Sequence, residues 1–351
     1  LPVVSDCLGG AMSTALVLGK FAPLHFGHCL VLDEATKQTD KQVVVIYDSP
    51  EVTDIPLAIR AGWVRALYPH AEVIETWGGP QEVGLEPELQ LLHEEFLLHV
   101  LRGRQISHFF SSEEYGEHVA KRLGAIDVRV DMKRQTHDIS ATAIRQSAYD
   151  HRSHIPDVVY KDLIRKVVFL GAPGTGKSTI VETCSQTFAT TFMPEHGRTF
   201  WEQNNLDRRL SVDQLVQIAE EHRALEAALV RDSREFLFVD TDASTTAIFS
   251  DYYHQRVPTA LSVMASDCLR MYDLTFLCMP DFQYPDTEDR SGEANRDEFH
   301  LRTLDYLRAI GRPYIELSGS VDRRVATVKT VLANTKKFQN PYEWSANAQL
   351  V

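Results

Sequence analysis

Two short stretches of this chain collect the residue types that handle phosphate. The first is GKFAPLHFGH at 19–28, where His25 and His28 lie three residues apart, directly after the apolar run ALVLG. Two imidazoles at a strand-to-helix turn can donate hydrogen bonds to triphosphate oxygens and stabilise charge on a pentacoordinate phosphorus. The plain alternative is two surface histidines in a chain that has 14. Far downstream, ISATAIRQ (139–146) offers Ser140 and Thr142, which can cap a helix start and donate to phosphate. Arg145 brings a cationic fork to the same place, although a merely capped helix has this sequence too.

The second stretch, GAPGTGKST at 171–179, fits G-x-x-x-x-G-K-[ST] between an apolar run and a helical one. Gly171, Gly174 and Gly176, with Thr175, let backbone N–H groups turn inward on phosphates. Lys177 reaches the β- and γ-phosphates, Ser178 suits Mg²⁺, and Thr179 completes the ATP-binding run. FLFVDTD then ends a strand at Asp240, a carboxylate suited to Mg²⁺, partly through water, with Asp242 two residues on. A structural role for such a strand-end carboxylate is the alternative. MPEHGRTF (193–200) carries Glu195 and Arg198 where an acceptor would bind. The segment 280–299 is charged and lacks apolar periodicity, and it predicts a lid whose Arg290 and Arg296 reach the transferring phosphoryl group; a solvated surface loop is the alternative.

These residues need strands and helix starts to hold them, and the pattern supplies both. Strand-like runs at 15–19, 43–47, 71–75, 106–110 and 126–130 alternate with amphipathic stretches at 28–38, 57–68, 86–102 and 114–123. The alternation restarts at 165–171 and continues with strands at 235–240, 274–279 and 313–317. Helical stretches there fall at 177–187, 211–232, 258–271, 297–310 and 321–335. Such repetition predicts an α/β fold with two doubly wound parallel sheets. The polar segment 150–160 separates the two series. The expected parts are 1–13 without fixed structure, a first domain 14–156, a second 157–338, and a loose tail 339–351. No internal repeat links the halves.

Bulk properties narrow the function. The formal charge is −13 with no basic block, which excludes a nonspecific nucleic-acid binder. Five cysteines, odd in number and never in C-x-x-C, point away from a disulfide framework or structural zinc and towards a reducing cytoplasm. No apolar run reaches the roughly 20 residues that span a bilayer. The start has no signal-peptide pattern, and Met12 reads as the natural first residue.

The pairing of G-x-F-x-P-x-H-x-G-H with I-S-x-T-x-x-R resembles the nucleotidyltransferase superfamily, a Rossmann-like fold. The resemblance implies that His25 and His28 hold the triphosphate with help from Lys20, and that Ser140, Thr142 and Arg145 close over it. Gly19, Phe21 and Gly27 shape the ATP turn, and FFSSE, with Ser112, lies along the adenosine. IRAGWVRAL (59–67) resembles the helix facing a pyridine nucleotide, which makes Arg60 and Trp63 candidates; a core aromatic is the equal alternative for Trp63. Followed by a P-loop kinase, with EHGR and VDTDASTT, the chain resembles the NadR-type bifunctional family over about 14–336.

That resemblance implies ATP as co-substrate at two sites, Mg²⁺, and two reactions. One phosphorylates nicotinamide riboside to nicotinamide mononucleotide, with Glu195, Arg198 and Asp242 at the riboside. The other transfers an adenylyl group from ATP to that mononucleotide, giving NAD and pyrophosphate. The implied partners are these small molecules, with no nucleic acid and no membrane; assembly of identical chains is left open. About a dozen residues precede the first strand, which predicts no N-terminal helix-turn-helix and no repressor role. A motor or AAA-type ATPase would want more modules than 165–336 offers. Two other readings stand: a transferase–kinase pair for another metabolite, and a regulatory ATP sensor with little turnover.

Overall fold

The computed structural model describes residues 12–80, 86–113, 116–204, 210–281 and 296–338. The chain divides into two compact units, Leu1–Tyr160 and Lys161–Val351. Among the described residues no helix is long and apolar enough to cross a membrane.

The first unit runs β1 (Thr14–Gly19), α1 (Phe26–Gln38), β2 (Lys41–Tyr47), α2 (Leu57–Leu67), β3 (Glu72–Thr76), α3 (Pro87–Leu101), β4 (His108–Ser111), α4 (Gly116–Leu123), β5 (Ile126–Arg129) and α5 (Ala141–Gln146). Its five strands are all parallel in the order β3-β2-β1-β4-β5. Helices cover both faces of such a sheet, so its central strands are apolar throughout rather than alternating. Leu16 of β1 pairs with Val43 on one side and Phe109 on the other. These residues pack with Val45, Leu97 and Val119 into one core. The strand order reverses between β1 and β4, and ligands bind at the carboxyl ends of strands beside such a reversal. The histidine turn follows β1 there.

Helix α6 (Asp157–Leu163) spans the division. The second unit continues with β6 (Arg165–Leu170), α7 (Lys177–Thr187), β7 (Phe192–Met193), α8 (His196–Asn204), α9 (Val212–Leu229), β8 (Phe236–Asp240), α10 (Ala243–His254), α11 (Thr259–Met271), β9 (Leu274–Cys278), α12 (Arg296–Ala309), β10 (Ile315–Leu317) and α13 (Val321–Asn334). The strands are again parallel, ordered β10-β9-β6-β8-β7. Central β6 again leads into the phosphate-type loop. Phe169, Phe238 and Phe276, from β6, β8 and β9, meet in the core beside α7 and α13.

The predicted α/β class with two doubly wound parallel sheets is the observed fold. Two helices flanking the second sheet, α8 and α10, are absent from the sequence pattern. Helix α10 begins ASTTAIF, a run of small and β-branched residues with weak helix preference. Burial overrides that preference, since Ala243, Ala247 and Ile248 are all packed inside.

Candidate functional site

In the first unit, β1 ends at Gly19 and the chain turns sharply through Phe21, which has a positive φ of 46°. A Cβ on Gly19 would stand 2.8 Å from the Phe21 ring, so the turn needs glycine there. The buried Phe21 ring meets His28 edge-on at 5.1 Å between centroids. His25 is the N-cap of α1, and its Nδ1 accepts from the Gly27 amide at 3.1 Å. His28 Nδ1 accepts from the His25 amide at 3.3 Å, closing a reciprocal cap. The two rings stack at 3.8 Å.

That arrangement fixes the tautomer. With each Nδ1 accepting, a neutral imidazole must carry its proton on Nε2, leaving a donor for a ligand oxygen. Both rings are held neutral. Burial pushes His25 down to about 4, helped by the charges of Arg134, His137 and His154. Burial lowers His28 well below the ordinary value as well, with His25 and Arg134 adding to it. Those three basic neighbours of the pair are absent from the sequence motif.

The second half of the motif folds back onto this turn. Ser140 caps α5, its Oγ accepting from the Ala143 amide at 3.1 Å. Arg145 donates from NH2 to Thr142 Oγ1 at 3.0 Å and from NH1 to the carbonyl of Ala22 at 2.5 Å. The guanidinium, exposed to solvent, is thereby carried to the His25 loop across 123 residues of sequence. Lys20 pairs with Glu51 at 2.9 Å, both half-exposed. Ser112 follows the end of β4, half-buried.

Arg60 and Trp63 lie in the interior of the first unit. Both are fully buried on α2. The Arg60 guanidinium donates to the carbonyls of Ile55 at 2.9 Å, Lys20 at 2.6 Å, Tyr47 at 2.7 Å and Asp48. It ties the loop after β1 to the loop after β2 from behind. Trp63 is a core aromatic, and the expectation that either side chain contacts a nucleotide gives way to packing.

In the second unit, β6 leads into a loop with left-handed Gly174 and Gly176, at φ 71° and 79°. Gly171 has φ 142°, and a Cβ there would sit 2.6 Å from the Cys278 carbonyl. Lys177 Nζ reaches back to the carbonyls of Gly171 and Ala172, each at 3.0 Å. Thr175 Oγ1 also donates to Ala172, at 2.8 Å. A cavity of about 1050 Å³ opens over this loop. Gly171, Gly174, Thr175, Gly176, Lys177, Ser178 and Thr179 line it, together with Glu195 and Arg198.

Asp240 closes β8, buried, with Oδ1 lacking any hydrogen-bond partner. Burial raises its pKa to about 6 and the neighbouring Glu195 adds to that, while Lys177, Ser178 and Arg198 pull the other way. A buried carboxylate oxygen without a partner, beside the Ser178 hydroxyl, is chemically suited to a hard divalent cation. Among the described residues no three His, Cys, Asp or Glu side chains form a metal cluster. A cation here would therefore draw on Ser178, Asp240, water and phosphate oxygens. Glu195 and Arg198 lie on the cavity wall, paired at 3.3 Å.

Asp242 lines the cavity, as a substrate contact requires, and is also tied into the surrounding structure. Its Oδ1 caps α10 through the Ser244 amide at 2.9 Å and the Ser244 hydroxyl, and its Oδ2 accepts from buried Arg312 at 2.7 Å. Both oxygens are used. Arg312 holds its carboxyl below the usual range despite burial. Arg290 lies outside the described residues, as does most of the expected lid. Arg296 opens α12 half-buried and is not among the cavity-lining residues.

The sequence reading missed the apolar part of the cavity lining, Trp201, Phe249 and Tyr253 with Leu215 and Ile218. Phe249 and Tyr253 stack one helical turn apart, 6.0 Å between centroids. Their i, i+4 spacing was the available signal. It was hidden in a stretch without apolar periodicity.

Comparison with known proteins agrees with this division. A cytidylyltransferase-like family profile matches residues 16–147, and a profile described as an AAA domain matches 166–324. Two curated relatives are the trifunctional NAD biosynthesis/regulator proteins NadR of Salmonella typhimurium and Escherichia coli. They are 28% identical over 270 and 265 residues, in each case covering 69% of this chain and 63% of the relative. The chain thus spans under two thirds of the length of those relatives. Among solved structures, a NadR protein in complex with NAD and AMP-PNP aligns with TM-score 0.55 at 21% identity. One in complex with NR aligns with TM-score 0.56 at 22%; in both, 93% of this chain and 97% of the other are covered. In sequence the chain is similar to the NadR proteins, and in fold it is similar to the solved NadR structures.

Proposed function

We propose that the chain is a bifunctional enzyme of NAD biosynthesis, with a transferase domain at 14–156 and a kinase domain at 157–338. The kinase moves the γ-phosphoryl group of ATP to the hydroxyl of nicotinamide riboside, giving nicotinamide mononucleotide and ADP. The transferase joins that mononucleotide to the adenylyl group of a second ATP, with pyrophosphate leaving. The observation that carries this reading is the presence, in one chain and in NadR order, of two differently built phosphate turns.

In the transferase, the Nε2 donors of His25 and His28 bind triphosphate oxygens and stabilise the charge that develops as the bond to pyrophosphate breaks. Arg145, Ser140 and Thr142 close from α5, Lys20 adds charge, and Gly19, Phe21 and Gly27 shape the turn. Ser112 lies along the adenosine. In the kinase, the loop amides and Lys177 hold the β- and γ-phosphates, and Glu195 and Arg198 orient the acceptor. Ser178, and Asp240 partly through water, would hold Mg²⁺, which would supply charge neutralisation on the phosphates. The NadR relatives favour this kinase reading of the AAA-type profile over a motor ATPase.

Incubation of the purified chain with ATP, Mg²⁺ and a panel of ribosides tests the proposal. Nicotinamide riboside should yield mononucleotide, then NAD and pyrophosphate. Turnover restricted to another acceptor supports a different metabolite pair, and ATP binding without turnover supports a sensor.

A further inference from the structure

Helix α13 carries an arginine, Arg324, that is 1% exposed. Its guanidinium gathers the three loops that follow β6, β9 and β10. Nε donates to Gly319 at 3.0 Å, NH1 to the Thr175 carbonyl at 2.9 Å, and NH2 to the Met279 carbonyl at 3.0 Å and to the Asp281 carboxylate. Asp281 in turn accepts from the Gly319 amide through its other oxygen. Thr175, Asp281, Gly319 and Arg324 all line the cavity.

The bond to Thr175 matters most. In a trans peptide the C=O and the following N–H point in opposite directions. With the Thr175 carbonyl held by Arg324, the Gly176 N–H on the same peptide is turned away from that arginine. The amides of Gly174, Thr175 and Gly176 have no acceptor among the described residues. Amides at the start of a helix, left without internal acceptors, form an anion-binding concavity. Its usefulness depends on each peptide keeping its orientation, and Gly174 and Gly176 are free to rotate because they lack a Cβ.

We infer that Arg324 is a positioning residue of the second site: by fixing the Thr175 carbonyl it aims the loop amides at phosphate without touching the ligand. The inference rests on reading this loop as a phosphate cradle, and it adds a residue outside the loop motif, 149 positions from Thr175. A carbonyl clamp of this kind favours arginine, whose planar fork reaches several acceptors at once where lysine offers a single point.

Hydrogen exchange of peptides covering 171–180, with tripolyphosphate and Mg²⁺ as probe on the full chain, tests it independently of turnover. In the unmodified chain the loop amides should gain protection on adding the probe. In Arg324→Met the concentration needed for that protection should rise about tenfold, as expected for losing a hydrogen bond to a charged group. Arg324→Lys should fall between the two. Asp281→Asn, which spares the Thr175 clamp, should stay within about twofold of the unmodified chain. Absence of protection in the unmodified chain would overturn the phosphate reading itself. Normal protection there, matched by Arg324→Met, would overturn only the positioning role. Lost exchange protection of β6 in both Arg324 variants would also overturn it, by making Arg324 a folding residue.

Discussion

The two turns proposed to hold phosphate are built in opposite senses. In the first unit the donors are side chains and the backbone holds them: the amides of Gly27 and His25 fix the Nδ1 atoms of His25 and His28. In the second unit the donors are backbone amides and side chains hold the backbone, Lys177 from within the loop and Arg324 from behind it. Each turn is also backed by one fully buried arginine that collects carbonyls, Arg60 in the first and Arg324 in the second. Side-chain donors can be removed one at a time by mutation. Backbone donors can be disturbed only through the residues that shape them.

The largest effect expected from this contrast is Lys177→Ala. On the proposed reading Lys177 is both a charge for the phosphates and a brace on the loop, so its loss should cost riboside phosphorylation about 10³-fold or more in rate. Adenylyl transfer by the same molecule should be unchanged. Assaying both reactions on one preparation checks this, and normal kinase turnover would break the comparison. His28→Ala is the mirror case. It removes one aimed donor, worth about 10²–10³ in rate at a site of this kind, and spares the kinase. It also removes the cap on the His25 amide, so the release of pyrophosphate should suffer more than in His28→Asn.

A third prediction concerns shape rather than charge. Gly171→Ala would place a Cβ 2.6 Å from the Cys278 carbonyl at a φ of 142°. A backbone atom cannot swing aside as a side chain does. The second unit should lose about 2–3 kcal/mol of stability, from strain and overpacking together. Gly27→Ala meets the His25 ring at 3.0 Å and, in ordinary contact, Ile139 at 3.8 Å. It should tilt the imidazole and slow adenylyl transfer while melting near the unaltered temperature. Calorimetric scans of the two variants separate these outcomes; equal loss of stability would mean that the glycines play the same part.

Much of this was legible in the sequence because parallel sheets buried on both faces leave continuous apolar strands, and because glycine and proline mark the turns between them. The runs at 43–47 and 274–279 coincide closely with Lys41–Tyr47 and Leu274–Cys278. What stayed hidden shares a cause. Arg60 sits on an amphipathic helix, where arginine ordinarily faces water; its burial is set by four carbonyls in loops 5 to 40 residues away. Asp242, beside the strand-end Asp240, lines the cavity but also pairs with Arg312, 70 residues on, which the local sequence does not show. Long-range polar partners leave no local periodicity. Phosphate loops are the opposite case, since their geometry demands particular residues at fixed spacing.

The smallest expected effect is in pH, and it follows from the stacked imidazoles. An unperturbed histidine with a pKa of about 6.5 would be about 90% protonated at pH 5.5. His25, held down to about 4, would be only about 3% protonated there. A protonated ring would lose its Nδ1 acceptor and with it the bond from the Gly27 amide. The side-chain donors should therefore survive mild acid, and kcat for adenylyl transfer at saturating ATP should change less than about twofold through histidine titration between pH 7.5 and 5.5. Stability should behave differently. In the window between about 4 and 6.5 the unfolded chain binds protons that buried, neutral His25 refuses. The contribution of His25 to the first unit's stability is thus full above about 6.5 and is lost as pH falls towards 4. Chemical denaturation at several pH values measures this slope. In His25→Asn, which keeps a side-chain acceptor without a titrating ring, the slope over that window should flatten; an unchanged slope would show that the imidazole is not the group refusing the proton.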